Sequence, residues 1–369
     1  MFLSDPTPAL PFVVGLIAAL ALTPLARVLA VRTGDIDRPV GLKIHTRPTP
    51  LMGGLAVYLA FALACVVGVP LDHAAVRGIL LGGAIAVFVG LADEFLNLPP
   101  LVHLAGHVLA AVATIVGGVS VISTLSVPTG GLYHPGLRIP IVVGVVLTIV
   151  WLVGMINVVN FLDGLDGLAS GLVGIAVLFL AAWEADPARF GLPVEAHHAN
   201  VDLLLPLALG GALIGFLPYN WNPASIFLGD SGSMFLGLAV GAMAIVGPAK
   251  LATTLLLLLI PVLDVAWAIV RRQLRGRSFL AGDKQHVYHR MLELGMTHTT
   301  TVLLFYGICV ALGIIDLLLV KQWKLLAFAV LAILTGAVFI YLEVKASRQG
   351  RADKKLNVEA PAAATGSRD

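Results

Sequence analysis

Eleven apolar stretches, each about as long as a helix needs to cross a bilayer, take up most of this chain. They lie at roughly 9–31, 51–70, 76–92, 101–119, 139–158, 168–183, 203–219, 233–248, 251–270, 299–320 and 323–344. A crossing needs about 20 residues, with about 17 near the lower limit. The expected fold class is therefore an all-α polytopic integral membrane protein of about eleven transmembrane helices. Only 12% of residues are charged and 59% are hydrophobic, against about 25% charged in a soluble domain. So few charges cannot clothe a soluble enzyme of this size, and so apolar a chain is not disordered. A net charge of +2 also excludes a nucleic-acid binder that works by charge. Cys65 and Cys309, both in apolar runs, exclude a disulfide framework. Short glycine-rich stretches such as 78–92 and 233–248 suit close helix packing.

Lys and Arg concentrate in the connections that stay on the cytoplasmic side. With the N-terminus outside, segments 32–50, 92–100, 157–167, 219–232, 271–298 and 345–369 fall inside and hold 16 of the 23 basic residues. Arg77, Arg138, Arg189, Lys250, Lys321 and Lys324 fall at outer connections and tips. The C-terminus is then cytoplasmic. Met1 to Leu10 lacks a basic leader, so no cleaved signal peptide is expected. Residues 1–344 read as one transmembrane domain, with a small external β-hairpin at about 119–138. Residues 345–369 read as a disordered cytoplasmic tail.

On the inner side the charges sort by sign. Three short connections carry Asp93, Glu94, Asp163, Asp166 and Asp230 without a Lys or Arg among them. Two longer ones carry Arg32, Arg38, Lys43 and Arg47, then Arg271, Arg272, Arg275, Arg277, Lys284 and Arg290. Grouped carboxylates repel one another and call for a cation. Hard oxygen ligands in this number suit Mg²⁺, with Mn²⁺ the alternative, and such ions take one or two carboxylates plus substrate phosphates. Acids, a metal and basic loops together are the equipment of phosphoryl transfer. Asn157, Asn160 and Asp163 recur every third residue and share a face if helical. Gly229-Asp230-Ser231-Gly232-Ser233 opens an apolar run, where Asp230 or Ser231 could cap a helix or hold a ligand. His286, His289 and Arg290 form a donor cluster suited to a diphosphate or sugar, and no third soft ligand accompanies the two histidines to make a zinc site. No ATP or dinucleotide loop is present. A transporter would carry its carboxylates near the midplane, and a non-catalytic lipid binder would need neither motif.

Taken in order, these motifs resemble those of the polyprenyl-phosphate N-acetylhexosamine-1-phosphate transferase family. The match runs from about Asp37 to Tyr306. It includes Asp37-Arg38-Pro39 with Lys43, His45, Pro48, Pro50 and Gly53-Gly54, then Gly90 to Glu94, Asn157 to Gly167 and Phe227 to Ser233. It ends with Pro261, Asp264, Arg271 and Asp283 to Arg290. The resemblance implies transfer of an N-acetylhexosamine 1-phosphate from a UDP-amino sugar to a polyprenyl phosphate. UMP leaves, and a lipid-linked diphosphate sugar remains, the first membrane step of an envelope glycan. It implies a bacterial inner-membrane protein with its site towards the cytoplasm, membrane lipids around it and no nucleic-acid partner; a homodimer is compatible with it.

Position by position, the resemblance implies Asn160 and Asp230 at the metal and Asp93 at the attacking lipid phosphate, with Glu94 and Asp163 also in the chemistry. Asp163 and Asp166 lie near the metal or the uridine, Asn157 is among the substrate contacts, and Lys43 and His45 are near the phosphates. His286, His289 and Arg290 contact the nucleotide sugar. Three departures stand out. Asp93-Glu94 replaces the usual Asp-Asp, and His103 and His107 stand where Lys and Gln are common. His286-Val287-Tyr288-His289 lacks one histidine of the usual His-x-His-His, so a donor other than UDP-N-acetylglucosamine stays open.

Overall fold

The computed structural model describes residues 7–39, 47–125, 137–185, 201–246, 250–274, 286–319, 323–324, 326–338 and 340–341. Its helices are α1 (Ala9–Thr33), α2 (Gly53–Gly68), α3 (Ala74–Leu96), α4 (Pro100–Val116), α5 (Ile141–Leu162), α6 (Leu168–Glu184) and α7 (Val201–Asn220). They continue with α8 (Gly229–Val246), α9 (Lys250–Leu257), α10 (Leu259–Leu274), α11 (Val287–Glu293), α12 (His298–Leu318) and α13 (Leu326–Val338). The fold is all-α, as the lack of water around an apolar backbone dictates.

Each apolar stretch of the sequence falls on one helix, except 251–270, which falls on α9 and α10, bent by 82° between them. Among the described residues, six helices are long and apolar enough to cross a membrane, or seven with the bent pair counted as one span. α2, α4, α6 and α13 are shorter apolar helices. Val142, Val116 and Leu318 leave large apolar surface exposed on α5, α4 and α12, the outward face expected of lipid contact.

α8 is the most enclosed of the six long helices. It packs against α3 and α5, with α2 and α9 also against it. Phe235, fully buried, meets the Tyr58 ring edge-on at 5.2 Å. The contact of α2 and α3 with the start of α8 depends on glycine. A Cβ on Gly90 would stand 2.3 Å from the Ser231 backbone, and one on Gly54 would stand 2.0 Å from the Gly232 nitrogen. These close approaches set where the Gly-Asp-Ser-Gly turn sits.

The structure shifts three of the sequence expectations. Asp93 and Glu94 lie in the last turns of α3, not in a connection, and Asn157 and Asn160 lie within α5. A hydropathy window stops at the first polar residue, while the hydrogen-bonded helix continues past it. α8 starts at Gly229, four residues before the apolar stretch begins. Lys324, expected at an outer tip, is fully buried.

The expected hairpin is present at its base, where Thr124–Leu125 (β3) pairs antiparallel with Leu137–Arg138 (β4); its tip lies outside the described residues. A second ribbon, unanticipated from the sequence, pairs Ile36–Asp37 (β1) with Thr49–Pro50 (β2). It brackets Lys43 and His45, which lie outside the described residues.

Candidate active site

The C-termini of α3, α5 and α7 and the N-termini of α2, α6 and α8 converge at one end of the bundle. They enclose a cavity of about 1370 Å³. Asp93, Glu94, Asn160, Asp163, Asp166, Asp230 and His289 line it. Seven of the expected site residues, drawn from four separate segments, therefore share one wall.

Asn160 and Asp230 meet directly. The Asn160 amide donates to Asp230 Oδ1 at 2.7 Å and to Ser233 Oγ at 3.0 Å. The helical register of α5 aims Asn160 at α8, as the three-residue spacing requires. Asp163 caps the end of α5. Burial raises its pKa well above the ordinary carboxylate value, and the charges of Asp230, Glu94 and Asp166 push the same way. The Gly229 N–H opposes them only in part. Each of these carboxylates disfavours the charge of the next, so a cation held among them would ease the ionisation of Asp163.

Glu94 does something the sequence does not announce. Its Oε1 accepts from the Ser231 backbone N–H at 3.0 Å and the Ser231 hydroxyl at 3.1 Å. It thus caps α8 from a neighbouring helix, the role the sequence offered to Asp230 or Ser231 themselves. Gly229, at φ +75°, leaves room for the Glu94 carboxylate, since a Cβ there would stand 2.3 Å from Oε1. Glu94 Oε2 is buried without a hydrogen-bond partner among the described residues. The extra methylene relative to Asp reaches the helix start.

Asp166 holds the loop after α7. Its Oδ2 accepts from Asn222 Nδ2 at 2.8 Å and the Ala224 N–H at 3.0 Å, and its own N–H donates to His298 Nε2 at 3.0 Å. Asp93 is held at both oxygens. Oδ1 accepts the Leu98 N–H at 2.7 Å, and Oδ2 lies 3.4 Å from His103 Nε2.

Three expected contacts stand off the cavity wall. Asn157 donates to the Val153 carbonyl at 2.7 Å and faces His107 Nδ1 at 3.3 Å. His286 is buried, with Nδ1 2.8 Å from Asp264 Oδ2, and its ring stacks on Phe161 at 5.3 Å. Asp264 also accepts the Val287 N–H at 3.2 Å, so the pair ties the start of α11 to α10. Arg290 follows on α11 and is also absent from the cavity lining. His289 and Tyr288 are the residues of this segment that reach it.

Other cavity residues escaped the sequence reading. Asp35, one position beyond the α1 C-cap Gly34, is buried, and its Oδ2 has no hydrogen-bond partner among the described residues. Burial raises its pKa. In sequence it looks like part of a helix stop. Asn220 accepts from the Gly167 N–H at 3.1 Å and the Ser170 hydroxyl at 2.7 Å, joining α6 to α7 beneath the site. Tyr288 seats its hydroxyl against Gly164, and burial together with the charges of Asp264 and Asp163 raises its pKa.

A model of glycosyl transferase family 4 matches residues 76–248, the segment carrying Asp93, Glu94, Asn160, Asp163, Asp166 and Asp230. The decaprenyl-phosphate N-acetylglucosaminephosphotransferase of Mycolicibacterium smegmatis is 37% identical over 327 residues, covering 79% of this chain and 78% of that protein. The chain belongs to glycosyl transferase family 4. A probable undecaprenyl-phosphate N-acetylglucosaminyl 1-phosphate transferase of Bacillus subtilis is 28% identical over 360 residues, 94% of this chain and 93% of its own. The phospho-N-acetylmuramoyl-pentapeptide-transferase of Moorella thermoacetica is 27% identical over 319 residues, 80% and 93% of the two chains. In this family 4 member, no three His, Cys, Asp or Glu among the described residues converge closely enough to hold a metal by themselves. The donor set nonetheless fits a hard cation. Asp230 and Asn160 adjoin, carboxylate and amide oxygens are its ligands, and Mg²⁺ commonly takes few protein ligands and completes its shell with substrate phosphates.

Proposed function

We propose that the protein transfers an N-acetylhexosamine 1-phosphate from a UDP-amino sugar to a polyprenyl phosphate at the cytoplasmic face of a bacterial inner membrane. The observation that carries this reading is the carboxylate-lined cavity at one end of an apolar bundle, with Asn160 and Asp230 joined within it. An apolar lipid tail stays in the bilayer and a charged nucleotide sugar stays in water, so a site at the helix ends is where the two meet. The bias of Lys and Arg supports placing that end inside, with eleven crossings and the N-terminus outside.

In the proposed reaction an oxygen of the lipid phosphate attacks the sugar-bearing phosphorus. The bond from that phosphorus to the bridging oxygen breaks, and UMP leaves with the electron pair. A phosphate monoester has a second pKa of about 6, so the nucleophile needs little deprotonation at neutral pH. Asp93, on the wall and held at both oxygens, orients the incoming phosphate. Asp230 and Asn160 would hold Mg²⁺, which when bound neutralises the diphosphate and the departing uridylate. Asp166 and its Asn222 loop shape the adjoining wall, and His289 and Tyr288 close the side facing α11.

The test is purified protein with Mg²⁺, a polyprenyl phosphate and a panel of UDP-sugars, scored for UMP. UDP-N-acetylglucosamine and UDP-N-acetylgalactosamine separate the choice of sugar from the reaction class. UMP release that requires the lipid phosphate is expected. Folded protein that releases none with any donor would overturn the proposal.

A further inference from the structure

Asn157, His107 and His103 link α5 through α4 to α3, and the link ends at Asp93. His103 and His107 stand four residues apart on α4, hence on one face, with their rings edge to face at 4.4 Å. Asn157 has two N–H groups. One donates to the Val153 carbonyl and the other points at His107 Nδ1. That contact makes Nδ1 the acceptor, which fixes His107 as the tautomer carrying its hydrogen on Nε2. His107 is 2% exposed and Nε2 has no hydrogen-bond partner among the described residues. A buried donor left unpaired costs stability, so this ring position asks for an explanation other than packing. The His107 ring lies against that of His103, whose Nε2 stands 3.4 Å from Asp93 Oδ2. The Leu98 N–H holds the other oxygen.

We propose that Asn157, His107 and His103 form a positioning chain that aims an imidazole N–H at Asp93 and so sets the carboxylate that receives the lipid phosphate. The proposal rests on the transfer reaction above and goes beyond it by assigning Asn157 to this chain instead of to the substrate. His103 touches Asp93; Asn157 and His107 act through His103.

The test uses the full-length protein with UMP release as readout. H103L removes the N–H, and H103Q keeps a donor at similar reach. H103L is expected to lower kcat about ten-fold and raise KM for polyprenyl phosphate, with KM for the UDP-sugar unchanged. H103Q is expected to recover most of the loss, and general damage to the fold would instead shift both KM values. N157L is expected to lower kcat about three-fold in the wild-type background and by less than two-fold in H103L, because its effect passes through His103. Full wild-type kinetics for H103L would overturn the proposal, as would an undiminished N157L effect in the H103L background. An inactive wild-type protein would overturn the reaction and this inference together. An active wild type with an unaffected H103L overturns the inference alone.

Discussion

Two buried polar clusters sit at opposite ends of the bundle, and they handle charge in opposite ways. Away from the cavity, Lys324 is fully buried with Nζ 2.7 Å from Asp316 Oδ2 and 2.9 Å from Thr253 Oγ1, and 3.2 Å from the centre of the Trp183 ring. Thr253 also donates to Asp316. A buried cation and a buried anion meet here, and α9, α12 and the approach to α13 are tied together. At the cavity the proportions reverse. Among the described residues, Glu94, Asp166 and Asp230 take hydrogen bonds from neutral N–H and O–H donors, and the cationic partners on offer are imidazoles, His103 beside Asp93 and His298 beside Asp166. Charge neutralised inside the protein builds structure. Charge left for a ligand to neutralise builds a site.

The largest effect that follows is on turnover. Asp230→Ala removes the carboxylate beside Asn160 and should lower kcat by roughly three orders of magnitude, since metal-borne charge stabilisation is worth several kcal/mol. The melting temperature should stay close to wild type, because the lost side chain opens onto the cavity. Full activity would remove Asp230 from the site.

The opposite cluster should respond the other way. Lys324→Met leaves Asp316 buried without its cation and should destabilise by about 3–5 kcal/mol. Turnover per folded molecule should hold, and adding Asp316→Leu should restore part of the stability. Thermal unfolding in detergent, read beside UMP release, separates the two. A Lys324→Met protein that kept its stability but lost turnover would erase the contrast between the clusters.

The glycine contacts offer a smaller and more local change. Gly90→Ala pushes a methyl into the Ser231 backbone, and overpacking of this kind costs about 1–3 kcal/mol. Because Ser231 follows Asp230, kcat should fall about ten- to hundred-fold through displacement of α8. Gly154→Ala, on α5 where a Cβ meets nothing within 4 Å, is the control and should leave both stability and kcat within two-fold of wild type. Equal effects of the two substitutions would show that the approach of α3 to α8 does not set the site.

How much of this the sequence displays depends on contrast. In so apolar a chain, Asn160, Asp163 and Asp230 stand out, but the three-residue spacing holds only in part, since Asn160 and Asp163 line the cavity while Asn157 faces His107 on α4. The helices themselves announce their cores but not their ends. α3 and α5 therefore carry cavity-lining residues that hydropathy assigns to loops. What stays hidden is pairing across distance. Nothing near Glu94 in sequence indicates that it caps a helix 137 residues later, and nothing near His286 indicates that it answers to Asp264 on α10. Asp35 is hidden for another reason. It follows a glycine that ends a helix, and the ribbon that encloses it is only two residues wide on each strand.

The smallest effect expected is on pH dependence, and it tests the open charge directly. Asp163 has a pKa above that of the unfolded chain because burial and the neighbouring acids disfavour its charge. Below the unfolded value both states hold the proton and this contribution to stability is fully present. As pH rises towards the folded pKa, the unfolded chain releases its proton while the folded one does not, and the contribution is lost. Without a divalent cation, the melting temperature should therefore fall by a few degrees between about pH 5 and pH 8, the scale of about 1 kcal/mol in a chain of this size. Asp163→Asn should flatten the fall. A bound divalent cation favours the charged carboxylates, so Mg²⁺ should raise the melting temperature more at pH 8 than at pH 5, while leaving the Lys324–Asp316 end unaffected. A cation effect equal at both values, or one abolished by Lys324→Met and retained in Asp230→Ala, would place the cation away from this cavity.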